Sequence, residues 1–179
     1  RTSHHNTVTV DGLDQMDRYG PFLWLPWTRG AVATTLRSGE GRLAYWEGQH
    51  SGYLRLRSPA LHRRGILKLG EEAWLVVDRI DSRGAHEYRL HWQLLDCPHE
   101  WDASRTTLTL LTPRGPYHML IISNGSSFET SLVRADPKGT RGWCAPSYHL
   151  KSPCLSVGVR ARGETATYLT LFSPARCVV

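Results

Sequence analysis

The sequence predicts an all-β protein: an antiparallel β-sandwich of two or more stacked sheets, with little or no helix. Three observations predict it. Short stretches alternating apolar and polar residues recur along most of the chain, turn residues separate them at short intervals, and no segment sustains helical periodicity. Regular short strands with such punctuation fit stacked antiparallel sheets rather than βαβ units.

The strand candidates follow one another closely. "NTVTV" opens the series and ends on the turn pair Asp11-Gly12. Next come "PFLWLPW", "AVATTL", "RLAYWEG", "YLRLR", "HRRGILKLG" and "EAWLVVDRI", with turn signals at Ser38-Gly39 and Leu69-Gly70. In "HEYRLHWQL" the alternation is clearest: Tyr88, Leu90, Trp92 and Leu94 point one way, and Glu87, Arg89, His91 and Gln93 the other. "TLTLLT" sets Leu108 and Leu110 opposite Thr107 and Thr109, while "PYHMLIIS" is apolar on both faces, as in the middle of a packed sheet. "SFETSLV", "LSVGVRAR" and "TATYLTLF" complete the set, with turns at Asn124-Gly125, Pro137-Lys138-Gly139 and Arg162-Gly163. From Asp136 to Pro153, Gly, Pro and Ser predict the longest loop.

The 179 residues, 40% hydrophobic and 21% charged, suit one globular domain spanning 1–179. No apolar run reaches the length of a membrane-spanning helix. The net charge is +6, and only Lys68, Lys138 and Lys151 among the 22 basic residues are Lys. Guanidinium forks suit carboxylate, sulfate or phosphate oxygens, so an acidic polymer is a candidate partner, beside the plainer reading of a solvated Arg-rich surface. Dispersed basic residues without a framing motif argue against nucleic acid. Cys97, Cys144, Cys154 and Cys177 form no CxxC pair, which excludes a zinc ribbon and a thioredoxin motif and leaves disulfides or free thiols open.

Four stretches carry residues capable of chemistry. His5 lies at or just before the first strand, where an imidazole can ligate zinc, act as acid or base, or simply hydrogen-bond at a sheet edge. In "HSGYLRLRSPALHRR", Tyr53, Arg55 and Arg57 would share one strand face, with His62 and Arg63 opening the next strand. Tyr53, Arg55, His62 and Arg63 are therefore candidates for contact with an acidic sugar. Asp78 and Asp81 flank Arg79 near His86, in a hairpin context that favours solvated turn acids over acid–base work. Trp24 and Trp27 can stack on a sugar ring, although seven Trp in a sandwich also suit a core. No GxSxG elbow and no phosphate-binding loop is present.

These stretches, in this order, resemble the C-terminal part of the heparinase II/III-like polysaccharide lyase family. The matching pieces are "RTSHHNTVTVDGLDQ", "GQHSGYLRL", "HRRGILKL", "WLVVDRI" followed by His86, and "GWCAPSYH". The resemblance implies an α/α-toroid preceding an antiparallel β-sandwich, in a periplasmic or secreted enzyme acting on uronic-acid polysaccharide such as glycosaminoglycan or alginate by β-elimination. It implies that the chain is the C-terminal portion of a larger toroid-plus-sandwich enzyme, with the toroid domain and an acidic polysaccharide as partners. Tyr and His residues do the proton transfers in that family, and none of those motifs falls within this chain; catalytic residues are expected upstream of Arg1. Some members hold zinc with two His and one Asp, and His5, in the "HNT" motif, matches one ligand, leaving the site incomplete here. His4 departs from the small residue usual at its position. The alternative is a non-catalytic carbohydrate-binding or structural module of an exopolysaccharide-processing protein.

Overall fold

The structure is a computed structural model and describes residues 1–38, 41–124 and 128–175. A 3-10 turn at Thr2–His4 leads into β1 (Val8–Val10), β2 (Asp17–Arg18), β3 (Trp24–Leu25), β4 (Gly30–Arg37) and β5 (Leu43–His50). There follow β6 (Ala60–Leu69), β7 (Ala73–Leu94), β8 (His99–Asp102), β9 (Thr107–Thr112), β10 (Gly115–Ser123) and β11 (Phe128–Arg134). The last are β12 (Trp143–Ser147), β13 (Leu150–Pro153) and β14 (Leu155–Ser173). The chain is all-β and antiparallel, as the alternation predicts. The large sheet runs β4-β5-β6-β7-β14-β10-β9-β8, with β1 joined to β7 and β11 to β14.

Two long strands organise this sheet. β7 has 22 residues and β14 has 19, and each joins two segments that read as separate strands in the sequence. Their pairing shifts register between Gly163 and Thr165, where Gly163 adopts φ 155°. That bulge bends the ribbon, as extra residues in one strand do. On one side of it, β6 and β10 flank the pair. On the other, β1 pairs with the later half of β7 and β11 with the earlier half of β14.

The two halves face each other as layers. Trp92 pairs with Val157 in register, yet its indole N–H donates to Thr170 Oγ at 3.1 Å, and its ring meets Phe172 edge-on at 5.0 Å. Between the layers lie Val8, Val10, Tyr88, Leu90, Val157 and Val159 from the smaller layer. Ile80, Leu108, Met119, Ala166 and Tyr168 come from the larger. The alternation predicted for "HEYRLHWQL" and "TLTLLT" is what sorts these residues inward.

Local turns follow their residue chemistry. Asp11 (φ 52°) and Gly12 (φ 67°) close a two-residue hairpin in which the Leu13 N–H donates to Val10 O, the geometry that Asp-Gly favours.

Several expectations are corrected. "YLRLR" is not a strand: residues 52–58 form turns and bends that fold Tyr53 into the core, where its ring is fully buried and its hydroxyl donates to the Leu13 carbonyl. Asp78 and Asp81 lie in mid-strand, since β7 runs through without a hairpin. Only Trp24–Leu25 of "PFLWLPW" forms a strand. The expected long loop contains the β12–β13 hairpin. Cys97, Cys144 and Cys154 are free thiols, with Cys154 pushed up to about 11 by burial and by neighbouring Cys144; Cys177, Gly39 and Gly125 lie outside the described residues.

Candidate functional site

A line of polar side chains crosses the inner face of the larger layer. His50 on β5 stands opposite His62 on β6, and Arg64 on β6 stands opposite Asp78 on β7, so neighbouring rows of one face bring four polar groups together. Asp78 is fully buried and His62 is 3% exposed. Arg64 forks onto Asp78, Nε to Oδ1 at 2.7 Å and Nη2 to Oδ2 at 2.9 Å. Its third nitrogen donates to the Asn6 carbonyl, and its guanidinium lies 5.3 Å from the Trp92 ring.

The hydrogen bonds fix the proton positions. The Gly52 N–H donates to His50 Nδ1, so His50 carries its proton on Nε2. That proton points at His62 Nδ1, 3.0 Å away, which places the His62 proton on Nε2, where it is donated to Asp78 Oδ1 at 2.6 Å. Gln15 lies 3.3 Å from the same His50 nitrogen, which a protonated Nε2 tolerates only if the amide oxygen faces it. The result is an Asp–His–His relay polarised towards one carboxylate. Burial pulls the Asp78 carboxyl upward, but the His62 bond and the Arg64 guanidinium outweigh it and hold the group below its ordinary value. Burial, then His62 and Arg64, lower His50 to about 4, so it is neutral at physiological pH.

This relay opens on a cleft of about 310 Å³ lined by Trp46, Gly48, His50, His62, Arg64 and β4 residues. Gly48 leaves room for the Trp46 ring in its wall: a Cβ there would lie 2.5 Å from that ring. A second groove, of about 320 Å³, is lined by Trp27, Arg29 and Arg55 among others.

The predicted site residues separate. Tyr53 is 0% exposed and its hydroxyl donates to the Leu13 carbonyl at 3.1 Å, so it offers nothing to a sugar. Arg55 is half-buried, bonded to the Asp14 carbonyl and paired with Asp17 at 3.0 Å, and it lines the second groove. His62 belongs to the relay, whereas Arg63 is exposed and donates to Gln49 Oε1. Trp27, 79% exposed, is a surface group rather than core. His86 is buried and tied to Asp11 at 2.6 Å and to the Ser58 carbonyl, as a hydrogen-bonded structural group. Asp78 reads as a turn acid in the sequence and is instead the buried anchor. Gln15 and His50 were missed, for sequence spacing gives no sign that residues 35 apart would meet.

His5 is exposed, and the fold uses its carbonyl, which accepts from His91 Nδ1 at 3.0 Å. Among the described residues, no group of three or more His, Cys, Asp or Glu is arranged to hold a metal ion. The relay does not fit zinc either. Both Asp78 oxygens are spent on Arg64, His62 uses both nitrogens within the chain of hydrogen bonds, and the guanidinium already provides the positive charge.

The profile of the "Heparinase II/III-like, C-terminal" family matches residues 1–170. The chain belongs to this family. Among solved structures, a heparinase III gene product superposes with a TM-score of 0.74 at 17% identity, covering 97% of this chain and 24% of that one. A heparan sulfate lyase from Pedobacter heparinus gives 0.72 at 15% identity, covering 96% and 24%. This heparinase II/III-like chain thus spans about a quarter of the length of those structures. No curated protein matches it. Among the described residues no helix is long and apolar enough to cross a membrane, which leaves β-barrels aside.

Proposed function

We propose that the chain is the C-terminal β-sandwich of a polysaccharide lyase that cleaves an acidic, uronic-acid-containing polysaccharide by β-elimination. The observation that carries this reading is the family match over residues 1–170, together with the relation of the chain to one quarter of lyase structures. In such a reaction a base removes the C5 proton. The freed electron pair becomes the C4–C5 double bond, and the C4 glycosidic oxygen departs with a proton from an acid.

The chain's own groups suit a cleft wall better than proton transfer. Both nitrogens of His50 and of His62 are engaged inside the relay, and the Tyr53 hydroxyl is buried. This reading therefore assigns the acid and the base to other parts of the protein. A large uncovered surface fits a further domain packed here: every residue of β4 is exposed, and Phe22, Trp27, Val32 and Leu36 stand 92%, 79%, 62% and 64% exposed. A polymeric substrate places the enzyme in the periplasm or outside the cell.

The test is absorbance of the unsaturated uronate with heparin, chondroitin or alginate. The isolated chain is expected to give none and the whole parent protein to give it with at least one glycan; product from the isolated chain, or silence from the parent with every acidic glycan, overturns the reading. One observation favours a second reading, a non-catalytic carbohydrate-binding module: exposed Trp27 shares a groove with Arg55. Its mark is glycan affinity in the isolated chain that weakens with salt and falls on Arg55→Gln or Trp27→Ala.

A further inference from the structure

The outward face of the smaller layer gathers guanidinium groups, three of which no carboxylate bridges among the described residues. In register across β11, β14 and β7 stand Glu129, Arg160 and Arg89, and the next row holds Ser131, Gly158 and His91. Arg141, from the segment before β12, lies over Gly158: a Cβ there would meet its Nη2 at 3.1 Å. Its fork is spent on neutral oxygens, Nε to Ser156 Oγ at 3.0 Å, Nη1 to Ser131 Oγ at 2.9 Å and Nη2 to the Ser156 carbonyl at 2.8 Å.

The roof of this face is fixed in one protonation state. Arg141 donates to Ser156 Oγ, which leaves the Ser156 hydroxyl proton for His91 Nε2 at 2.7 Å. The His91 Nδ1–H donates to the His5 carbonyl. The imidazole is therefore neutral and adds no charge, but it holds Ser156, and through it Arg141, in place.

Three guanidiniums remain without an ion pair among the described residues. Among the described residues the buried Arg89 Nη2 has no hydrogen-bond partner, an unfavourable state for a donor. Among the described residues no carboxylate is ion-paired with Arg89, Arg141 or Arg160. Glu129 faces Arg160 in register without bridging to it, and Glu87 is spent on Arg162 at 3.0 Å. Asp136 acts on Arg141 from a distance, its Oδ1 taken by the Lys138 N–H. Repulsion accompanies the desolvation: burial, then Arg89 and Arg160, bring Arg141 down to about 10.

We propose that Arg89, Arg141 and Arg160 form a binding site for an oxyanion, a sulfate or carboxylate group, on the outer face of the smaller layer and separate from the relay cleft. Exposed Arg160 meets the anion first. As it turns onto the anion, Arg89 gains the acceptor it lacks, and two adjacent forks share the anion's oxygens. Arg141, already anchored, supplies field rather than direct bonds. The site is defined by charge and stands whether or not the parent protein is a lyase.

The test is a sulfate titration of the chain at constant ionic strength, against chloride, followed through backbone amide shifts. Saturable, sulfate-specific shifts are expected at Ser131, Ser156 and Gly158. Arg160→Gln, at an exposed position that leaves the fold intact, is expected to weaken binding about tenfold, the loss of one charge-assisted contact. Arg160→Lys should recover part of that loss, since it restores charge without the fork. A response equal to that of chloride, or one unchanged in both Arg160→Gln and Arg89→Gln, overturns the site. Competition by a sulfated oligosaccharide and by an unsulfated polyuronate then identifies the source. Displacement of sulfate by either assigns the site to that glycan group, while sulfate binding that neither displaces supports a site for free inorganic anion.

Discussion

Arg64 and Asp78 form a forked ion pair inside the sandwich, with the carboxylate fully buried and the guanidinium 19% exposed. The pair also anchors the relay, because His62 donates to the oxygen that Arg64 Nε holds. Removing one partner leaves an uncompensated charge in the core. Arg64→Ala is expected to cost about 3–5 kcal/mol, and Asp78→Asn a similar amount. Urea denaturation measures both, and a double-mutant cycle should give a coupling energy of at least about 1 kcal/mol. Additive losses would show that the two residues act independently.

The neutral imidazoles make stability depend on acid. Burial is the largest cause lowering both His50 and His91, each to about 4. Between the ordinary histidine value near 6.5 and about 4, the unfolded chain binds protons that the folded chain refuses. Stability from these groups is complete above that window and is lost as pH falls through it, by about 2 kcal/mol per pH unit for the two together. Asp78, held below the ordinary carboxylate value, extends the loss at still lower pH. Urea midpoints at pH 7, 5.5 and 4.5 should fall steadily, and His50→Gln should flatten the slope by about half. A midpoint that does not move between pH 7 and 4.5 would contradict the neutral assignment.

The strands were legible where one face is core, because burial forces alternation. "HEYRLHWQL" and "TLTLLT" read correctly for that reason. Fusion of two such segments into β7 was not legible: Arg83 and Gly84 look like a turn and lie where the β14 register shifts, yet the Arg83 N–H donates to the Pro59 carbonyl and the strand runs on. Tyr53 misled in the opposite sense, since alternation over a few residues occurs in turns as well. The relay escaped because its members come from β5, β6 and β7, and only cross-strand register unites them.

Tyr53 illustrates what burial changes in a functional expectation. Its hydroxyl reaches the Leu13 carbonyl at 3.1 Å and the Val8 carbonyl at 3.4 Å, tying the first hairpin to the end of the core, and burial raises its pKa. Tyr53→Phe is expected to lower stability by about 1–2 kcal/mol, the cost of stranding an acceptor, while leaving glycan affinity unchanged. Thermal unfolding and a binding titration on the same variant separate the two effects. A loss of affinity without a loss of stability would restore Tyr53 to the sugar-contact role.

Gly158 tests whether Arg141 lies where the outer face requires it. The residue sits in the middle of β14, flanked in register by Ser131 and His91, where glycine is unfavourable on conformational grounds. The absence of a side chain lets the guanidinium lie flat on the strand, with Arg141 Nη2 and Ser131 Oγ both 3.1 Å from where a Cβ would stand. Valine would improve strand propensity by less than about 1 kcal/mol, whereas overpacking typically costs about 1–3 kcal/mol, so the packing effect should win. Gly158→Val is therefore expected to lower the unfolding temperature and, by lifting Arg141 off Ser131 and Ser156, to weaken sulfate binding several-fold. Gly158→Ala should show the same two effects in smaller measure. If valine instead stabilised the chain and left sulfate affinity intact, Arg141 would not lie across β14, and the charge gathered on this face would reduce to Arg89 and Arg160.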